Sequence, residues 1–196
     1  MSNKKIVVAI TGASGSIYGI RLIQTLHQLK DVQVFVLLSK MGQQVMEMEY
    51  AKGLIYLKES NLPIYLEDEL TAPMASGSWL HQGMVIIPCS MATLGSIASG
   101  CGHNLIQRAA DVCLKEQRKL VLVPRESPLH AIHLKNMLTL AQTGATLVPP
   151  CPYFYTQPKD VDEIIDQTIA RVMDLLKVKH NLTPRWKENE FLKAKI

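Results

Sequence analysis

Four short runs hold the side chains best suited to chemistry: Thr11-Gly12-Ala13-Ser14-Gly15-Ser16, Ser39-Lys40, Cys89-Ser90-Met91-Ala92-Thr93 and Arg125-Glu126-Ser127. Each follows a stretch rich in Val, Ile or Leu. Small residues let a backbone come close to a ligand, and N–H groups at a helix start favour an anion such as a phosphate. A phosphorylated cofactor suits such a rim. Taken singly, each Ser or Thr reads equally well as an ordinary helix N-cap; the four together point to a shared site.

The elements that must position these runs follow from periodicity. Apolar runs near Ile6 to Thr11, Val34 to Leu38, Met84 to Pro88, Leu120 to Pro124 and Thr146 to Val148 read as parallel strands buried on both faces, with helices in most of the intervals. The fold class is α/β: a single-domain, doubly wound, Rossmann-like or flavodoxin-like parallel sheet with helices on both faces. In such sheets ligands bind beyond the carboxyl ends of the strands, where the four runs lie. A helix over about 160–177 lines up Val161, Ile164, Ile165, Ile169, Val172, Met173 and Leu176 as a core stripe, with Asp160 and Glu163 as a capping box. Residues 51–78 have weak periodicity and read as irregular.

With 196 residues, 47% of them hydrophobic and 19% charged, the chain suits one folded domain. We place it at 1–178, followed by a basic tail at 179–196. From Lys177 onward six Lys or Arg stand against two Glu, which accounts for the net charge of +4. The six arginines are scattered, arguing against a nucleic-acid groove. No apolar run approaches the roughly 18 to 20 residues of a membrane span, and the start lacks a signal-peptide pattern; no membrane partner and a cytoplasmic location are expected. Cys89, Cys101, Cys113 and Cys151 are far apart and read as free, mostly buried thiols. His130 and His133 are one helical turn apart, a spacing that reads as packing or capping in the absence of a third ligand, and no metal is expected. Met41, Met46 and Met48 read as interior or subunit-contact residues. Gly12-Ala13-Ser14-Gly15 with Gly19 is near a dinucleotide fingerprint, but Ser39-Lys40 stands where an NAD site usually has an acid. NADPH, with Lys40 at its 2′-phosphate, is the surviving version of that reading.

Beyond this point the motifs add up. Thr11-Gly12-Ala13-Ser14-Gly15, Ser39-Lys40, Ala75-Ser76-Gly77-Ser78, Pro88-Cys89-Ser90, Arg108-Ala109-Ala110-Asp111-Val112, Leu114-Lys115-Glu116, Leu122-Val123-Pro124-Arg125-Glu126, Ile132-His133-Leu134, Phe154-Tyr155, Gln157-Pro158 and Arg185-Trp186 occur together. In combination they resemble the UbiX-type flavin prenyltransferases, also described as phenylacrylic acid or 3-octaprenyl-4-hydroxybenzoate decarboxylase subunits, from about Lys5 to Trp186. The resemblance implies an enzyme that joins a dimethylallyl group from dimethylallyl phosphate to N5 and C6 of reduced FMN. The prenylated FMN would serve a UbiD-type decarboxylase. It further implies a metal-independent homo-oligomer, commonly a dodecamer, with sites at subunit contacts.

By the same resemblance Gly12, Ala13, Ser14, Ser39, Ser90, Met91, Ala92, Thr93 and Arg125 would contact FMN. Tyr155 and Arg171 would grip the prenyl phosphate with Lys115 and Glu126 beside it, and Glu49 would be the general base near flavin N5. By residue type alone, Lys115 is a solvated helix position, and Arg171 is equally the partner of a nearby Asp; Arg125-Glu126 could be a surface ion pair, but its place at a strand's carboxyl end favours function. Tyr153-Phe154-Tyr155 is equally a packed aromatic loop, and Glu49 an ordinary helix residue. Leu70 replaces a Trp of some relatives and Tyr153 a smaller residue, which bears on pocket shape and donor preference. Two other functions stay open: oxidative decarboxylation of a cysteine by bound FMN, and a non-catalytic flavin carrier in a hydroxybenzoate decarboxylase.

Overall fold

The computed structural model describes residues 4–186. Among them one sheet runs in the order β3-β2-β1-β4-β5-β6, from β1 (Lys4–Ile10), β2 (Val32–Leu38), β3 (Ile64–Leu66), β4 (Gly83–Cys89), β5 (Lys119–Pro124) and β6 (Thr146–Leu147). Every pairing is parallel, with Ile6 opposite Val34 on one side and Gly83 on the other. The order reverses between β1 and β4. That is the switch point where loops diverge and leave a crevice.

Burial on two faces explains the continuous apolar runs. Along β1, Ile6, Val8 and Ile10 enter one core while Val7 and Ala9 enter the other. The first core is closed by α1 (Ser16–His27) and α6 (Val161–Leu175), through Ile20, Ile23, Leu26, Ile169 and Met173. The second is closed by α3 (Met91–Ala98) and α4 (Leu105–Lys115), with Leu140 from α5 (Ala131–Gln142). Each fully buried Ile or Leu contributes about 1.5–3 kcal/mol of transfer free energy.

Residues 51–78 are more regular than expected. α2 (Lys40–Glu59) fills the first third and β3 adds a strand at the sheet edge, beyond which lies one 3-10 turn (Pro73–Ala75). The packing face of α2 is Gly42, Met46, Gly53 and Leu57. Its glycines are invisible to an apolar count, and a kink at Tyr50 (φ −150, ψ 61) breaks the phase.

The stripe on α6 buries Ile165, Ile169, Val172, Met173 and Leu176, whereas Val161 is exposed in the first turn. Asp160 caps the helix by accepting from the Glu163 N–H at 2.9 Å. Glu163 answers one residue earlier than in a capping box, accepting from Lys159 rather than from Asp160. Only two of the four thiols, Cys89 and Cys113, are buried; Cys101 and Cys151 are exposed. Met46 is buried, but Met41 and Met48 are exposed. Of the basic tail, residues 187–196 lie outside the described residues. Among those described, no helix is long and apolar enough to cross a membrane.

Candidate active site

The loop after β1 is drawn over the switch point by hydrogen bonds that tie neighbouring strand ends together. Thr11 Oγ1 donates to the Pro88 carbonyl at 2.8 Å and accepts from the Ser90 N–H at 2.8 Å. The Ser39 N–H donates to the Ile10 carbonyl, and the Arg125 N–H to that of Cys89. From the far side Arg125 Nε donates to the Ser14 carbonyl oxygen at 3.1 Å. Gly12, Ala13, Ser14, Ser39, Ser90 and Arg125 are thereby linked, and Met91, Ala92 and Thr93 open α3 beside them. Thr11 heads the first of the runs singled out in the sequence, but its part in tying β1 to β4 is not among the implied FMN contacts.

Ser39 and Ser90 are also N-caps, as their residue type allows. Ser39 Oγ accepts from the Gly42 N–H, opening α2, and Ser90 Oγ accepts from Thr93 N–H, opening α3. α1 has no cap of its own, because Gly15 sits there in the left-handed region (φ 102). Glu49 supplies the missing acceptor from α2, one residue before the kink. Its Oε2 accepts from the N–H of Gly15 at 2.9 Å and from the N–H and hydroxyl of Ser16 at 3.3 Å. Burial raises the Glu49 carboxyl, but the hydrogen bonds from the Ser14 side chain, Gly15 and Ser16 outweigh it and hold the group below its ordinary range. The rim therefore already accommodates a negative charge at the start of α1. Glu126 turns to the next residue, its Oε1 accepting from the Ser127 N–H.

Tyr155 and Arg171 stand elsewhere, in the wall of a cavity of about 450 Å³ that contains none of those rim residues. Tyr155 stacks on Tyr153 (centroids 4.6 Å, 11°) and takes the Trp186 ring edge-on (4.7 Å, 82°). Burial and the Tyr153 phenol push the Tyr155 hydroxyl up, so it stays a neutral O–H donor. The carboxylates near Arg171 are taken: Asp166 by Arg21 at 2.7 Å and Asp174 by Arg185 at 2.8 Å. Arg171 itself is exposed and makes no ion pair among the described residues.

The aromatic loop is held by Gln167, which is 2% exposed. Its Oε1 accepts from the Tyr153 N–H, and its Nε2 donates to the Tyr153 carbonyl and to Thr156 Oγ1. Sequence reasoning passed over Gln167, although an amide inside the apolar stripe of α6 was a visible anomaly. Lys115 joins neither group. It closes α4, at the edge where β5 begins, and pairs with Glu116.

His130 and His133 serve α5. His130 Nδ1 accepts the His133 N–H as N-cap, and the rings stack with centroids 3.5 Å apart. Among the described residues no group of three or more His, Cys, Asp or Glu is placed to hold a metal.

A doubly wound sheet with a small-residue loop and capped helix starts around its switch point defines an α/β protein of the mononucleotide-binding class. The Flavoprotein family model matches residues 1–173. A flavin prenyltransferase of Lactiplantibacillus plantarum, LpdB, is 44% identical over 183 residues, 93% of this chain and 98% of that protein. The crystal structure of a dodecameric FMN-dependent UbiX-like decarboxylase from Escherichia coli O157:H7 superposes with a TM-score of 0.87 at 42% identity, covering 93% of this chain and 98% of that one. That of AnUbiX (PadA1) in complex with FMN and dimethylallyl pyrophosphate gives 0.87 at 39% identity, covering 94% and 97%. The chain belongs to the flavoprotein family and, within it, to the UbiX-type flavin prenyltransferases.

Proposed function

We propose that this protein is a flavin prenyltransferase that binds reduced FMN at the switch-point rim and transfers to it the dimethylallyl group of dimethylallyl phosphate. The observation that carries this reading is an exposed Arg171, without a carboxylate partner among the described residues, in the same aromatic cavity as the neutral Tyr155 hydroxyl. An allylic phosphate needs both features. Its leaving group must be met by cations and O–H donors, and its developing carbocation by π-faces.

The rim fits a flavin mononucleotide. Gly12 lets the loop pack closely on Met41 and Ser14 is exposed at its crest, the helix starts favour an anion, and Arg125 already spans from β5 to that loop. FMN, when bound, supplies the nucleophilic ring atoms N5 and C6. In this assignment Gly12, Ala13, Ser14, Ser39, Ser90, Met91, Ala92, Thr93 and Arg125 hold and orient it. Tyr155 and Arg171 fix the phosphate, with Lys115 and Glu126 completing the charge around it. Glu49, beside Ser14, accepts the proton that must leave before ring closure.

One chain does not assemble all of these, so the working site joins chains. α5 exposes Ile132, Leu134 and Leu138 and buries only Leu140, an apolar surface of the kind that subunits cover. Twelve copies, as in the E. coli relative, would serve. A UbiD-type decarboxylase would take the product. The test is anaerobic incubation of the purified protein with FMN, a reductant and dimethylallyl phosphate, followed by mass spectrometry of the extracted flavin. A gain of one five-carbon unit is expected. Unmodified FMN would overturn the transferase and favour a flavin carrier.

A further inference from the structure

Gln167, Arg171 and Asp174 lie at i, i+4 and i+7 on α6 and therefore share one face. Gln167 clamps the loop that carries Tyr153 and Tyr155, as described above. Asp174 makes the corresponding bonds to the segment that carries Trp186. Its Oδ1 accepts from Arg185 Nη2 at 2.8 Å and from His180 Nε2 at 3.1 Å, and its Oδ2 accepts from Arg185 Nη1 at 3.2 Å. His180 is held in turn, with its side chain 4% exposed and its Nδ1 accepting from the Leu182 N–H.

The chain reaches this position by reversing at the end of α6. Lys177 adopts the left-handed region (φ 55), its N–H donates to the Asp174 carbonyl, and the Val178 N–H donates to that of Met173. That pattern is a Schellman motif, with Val178 buried as its apolar contact. Residues 178–186 then run back along α6. Arg185 and Trp186 are neighbours, with Cα atoms about 3.8 Å apart, so docking the guanidinium fork on Asp174 holds the stretch of backbone from which the indole projects. The edge contact with Tyr155 adds to this.

We propose that Asp174 is a positioning residue. By holding Arg185 and His180 it clasps residues 178–186 to α6, so that Trp186 completes the aromatic wall around Tyr155 next to Arg171. The effect on substrate rests on the reading of this cavity as the prenyl-phosphate site; the clasp itself does not.

The chain has two tryptophans, so a Trp79→Phe background leaves Trp186 as the sole indole. Asp174→Asn, Asp174→Glu and Arg185→Gln are compared in that background, first by iodide quenching of Trp186 without ligand. KM for dimethylallyl phosphate and kcat are then measured anaerobically with reduced FMN. Asp174→Asn and Arg185→Gln are expected to make Trp186 more quenchable and to raise KM about ten-fold or more, with kcat within about two-fold. Asp174→Glu is expected to restore both. Arg185→Gln alters an exposed side chain, so it tests the clasp even if an Asp174 variant does not fold. Quenching unchanged in both variants overturns the proposal. More quenching with unchanged KM, where Arg171→Met does raise KM, overturns its part in substrate binding. If Arg171→Met leaves KM unchanged, the reading of the cavity fails, and quenching alone decides the clasp.

Discussion

Lys115 and Arg125 stand at opposite ends of β5: Lys115 is the last residue of α4 before the strand starts at Lys119, and Arg125 follows its final residue, Pro124. At about 3.3 Å per residue the strand alone separates them by roughly 20 Å. Lys115 also lies on the α4 face of the sheet, whereas Arg171 is on α6 across it. If both act on one phosphate, they come from different chains.

Complementation follows. Lys115→Met and Arg171→Met should each abolish most activity as homo-oligomers. Co-assembled in equal amounts with different tags, they should regain roughly a quarter of the wild-type rate, because independent draws leave one site in four with both cations. Hybrids with no recovery would put Lys115 and Arg171 of a site on the same chain, or Lys115 outside the site.

Gly19 predicts a stability effect without a catalytic one. It lies on α1 where a Cβ would run into the Ile87 carbonyl of β4 and meet Ile10 Cδ1 at 2.8 Å. A backbone carbonyl cannot yield as a side chain would, so Gly19→Ala should lift α1 and cost about 1–3 kcal/mol. Thermal denaturation should then fall by several degrees, at roughly 2–4 °C per kcal/mol. An unchanged Tm would mean that α1 is not pressed on the sheet.

Gly19 shares the helix–sheet packing duty of the last glycine of a dinucleotide fingerprint, so it does not tell the two kinds of site apart; Ser39-Lys40 at the end of β2 does. Five of the six strands were legible because burial on both faces leaves unbroken Val, Ile and Leu; β3, a three-residue edge strand that is not fully buried, was not. The rim was legible because hydroxyls or, after β5, the charged pair Arg125-Glu126 follow every strand that feeds it. The order of the strands was not, since it is set by long-range pairing rather than local pattern. The latter half of α2 escaped because it buries only Gly53 and Leu57, after a kink at Tyr50 that breaks the phase. Tyr155 and Arg171 rested on resemblance, and no spacing in the chain separates them from Lys115, which folding sends to the other edge. Gln167 and Asp174 escaped because their roles lie in backbone atoms and in a segment that returns from further along the chain.

Acid should release that segment. Hydrogen bonding to Arg185 holds the Asp174 carboxyl below its ordinary range, with burial opposing it and His180 assisting. A carboxyl depressed in the folded state contributes stability above its unfolded value of about 4, and that contribution is lost as pH falls through the lower folded value. In the Trp79→Phe background, Trp186 quenching should therefore rise below about pH 4. It should be high and flat with pH in Asp174→Asn. A wild-type profile that stays flat to pH 3 would dissociate the carboxylate from the ordering of Trp186.

Glu49 has a structural duty and a proposed chemical one, and a single substitution separates them. Glutamine keeps the size and one acceptor oxygen, so Glu49→Gln can still cap Gly15 and Ser16 and should bind FMN within a few-fold of wild type. It cannot take a proton, so formation of prenylated FMN should fall about 100-fold or more. The depressed carboxyl is ionised at neutral pH but is a weak base, and each loop N–H withdrawn from it raises its basicity. Its protonation should give the wild-type pH–rate profile an acid limb below the ordinary glutamate range, absent from the residual activity of Glu49→Gln. Its contribution to folding has the same sign: present above the unfolded value and lost as pH falls through the folded one. Unaltered prenylation with weakened FMN binding would leave Glu49 as the cap of α1 alone.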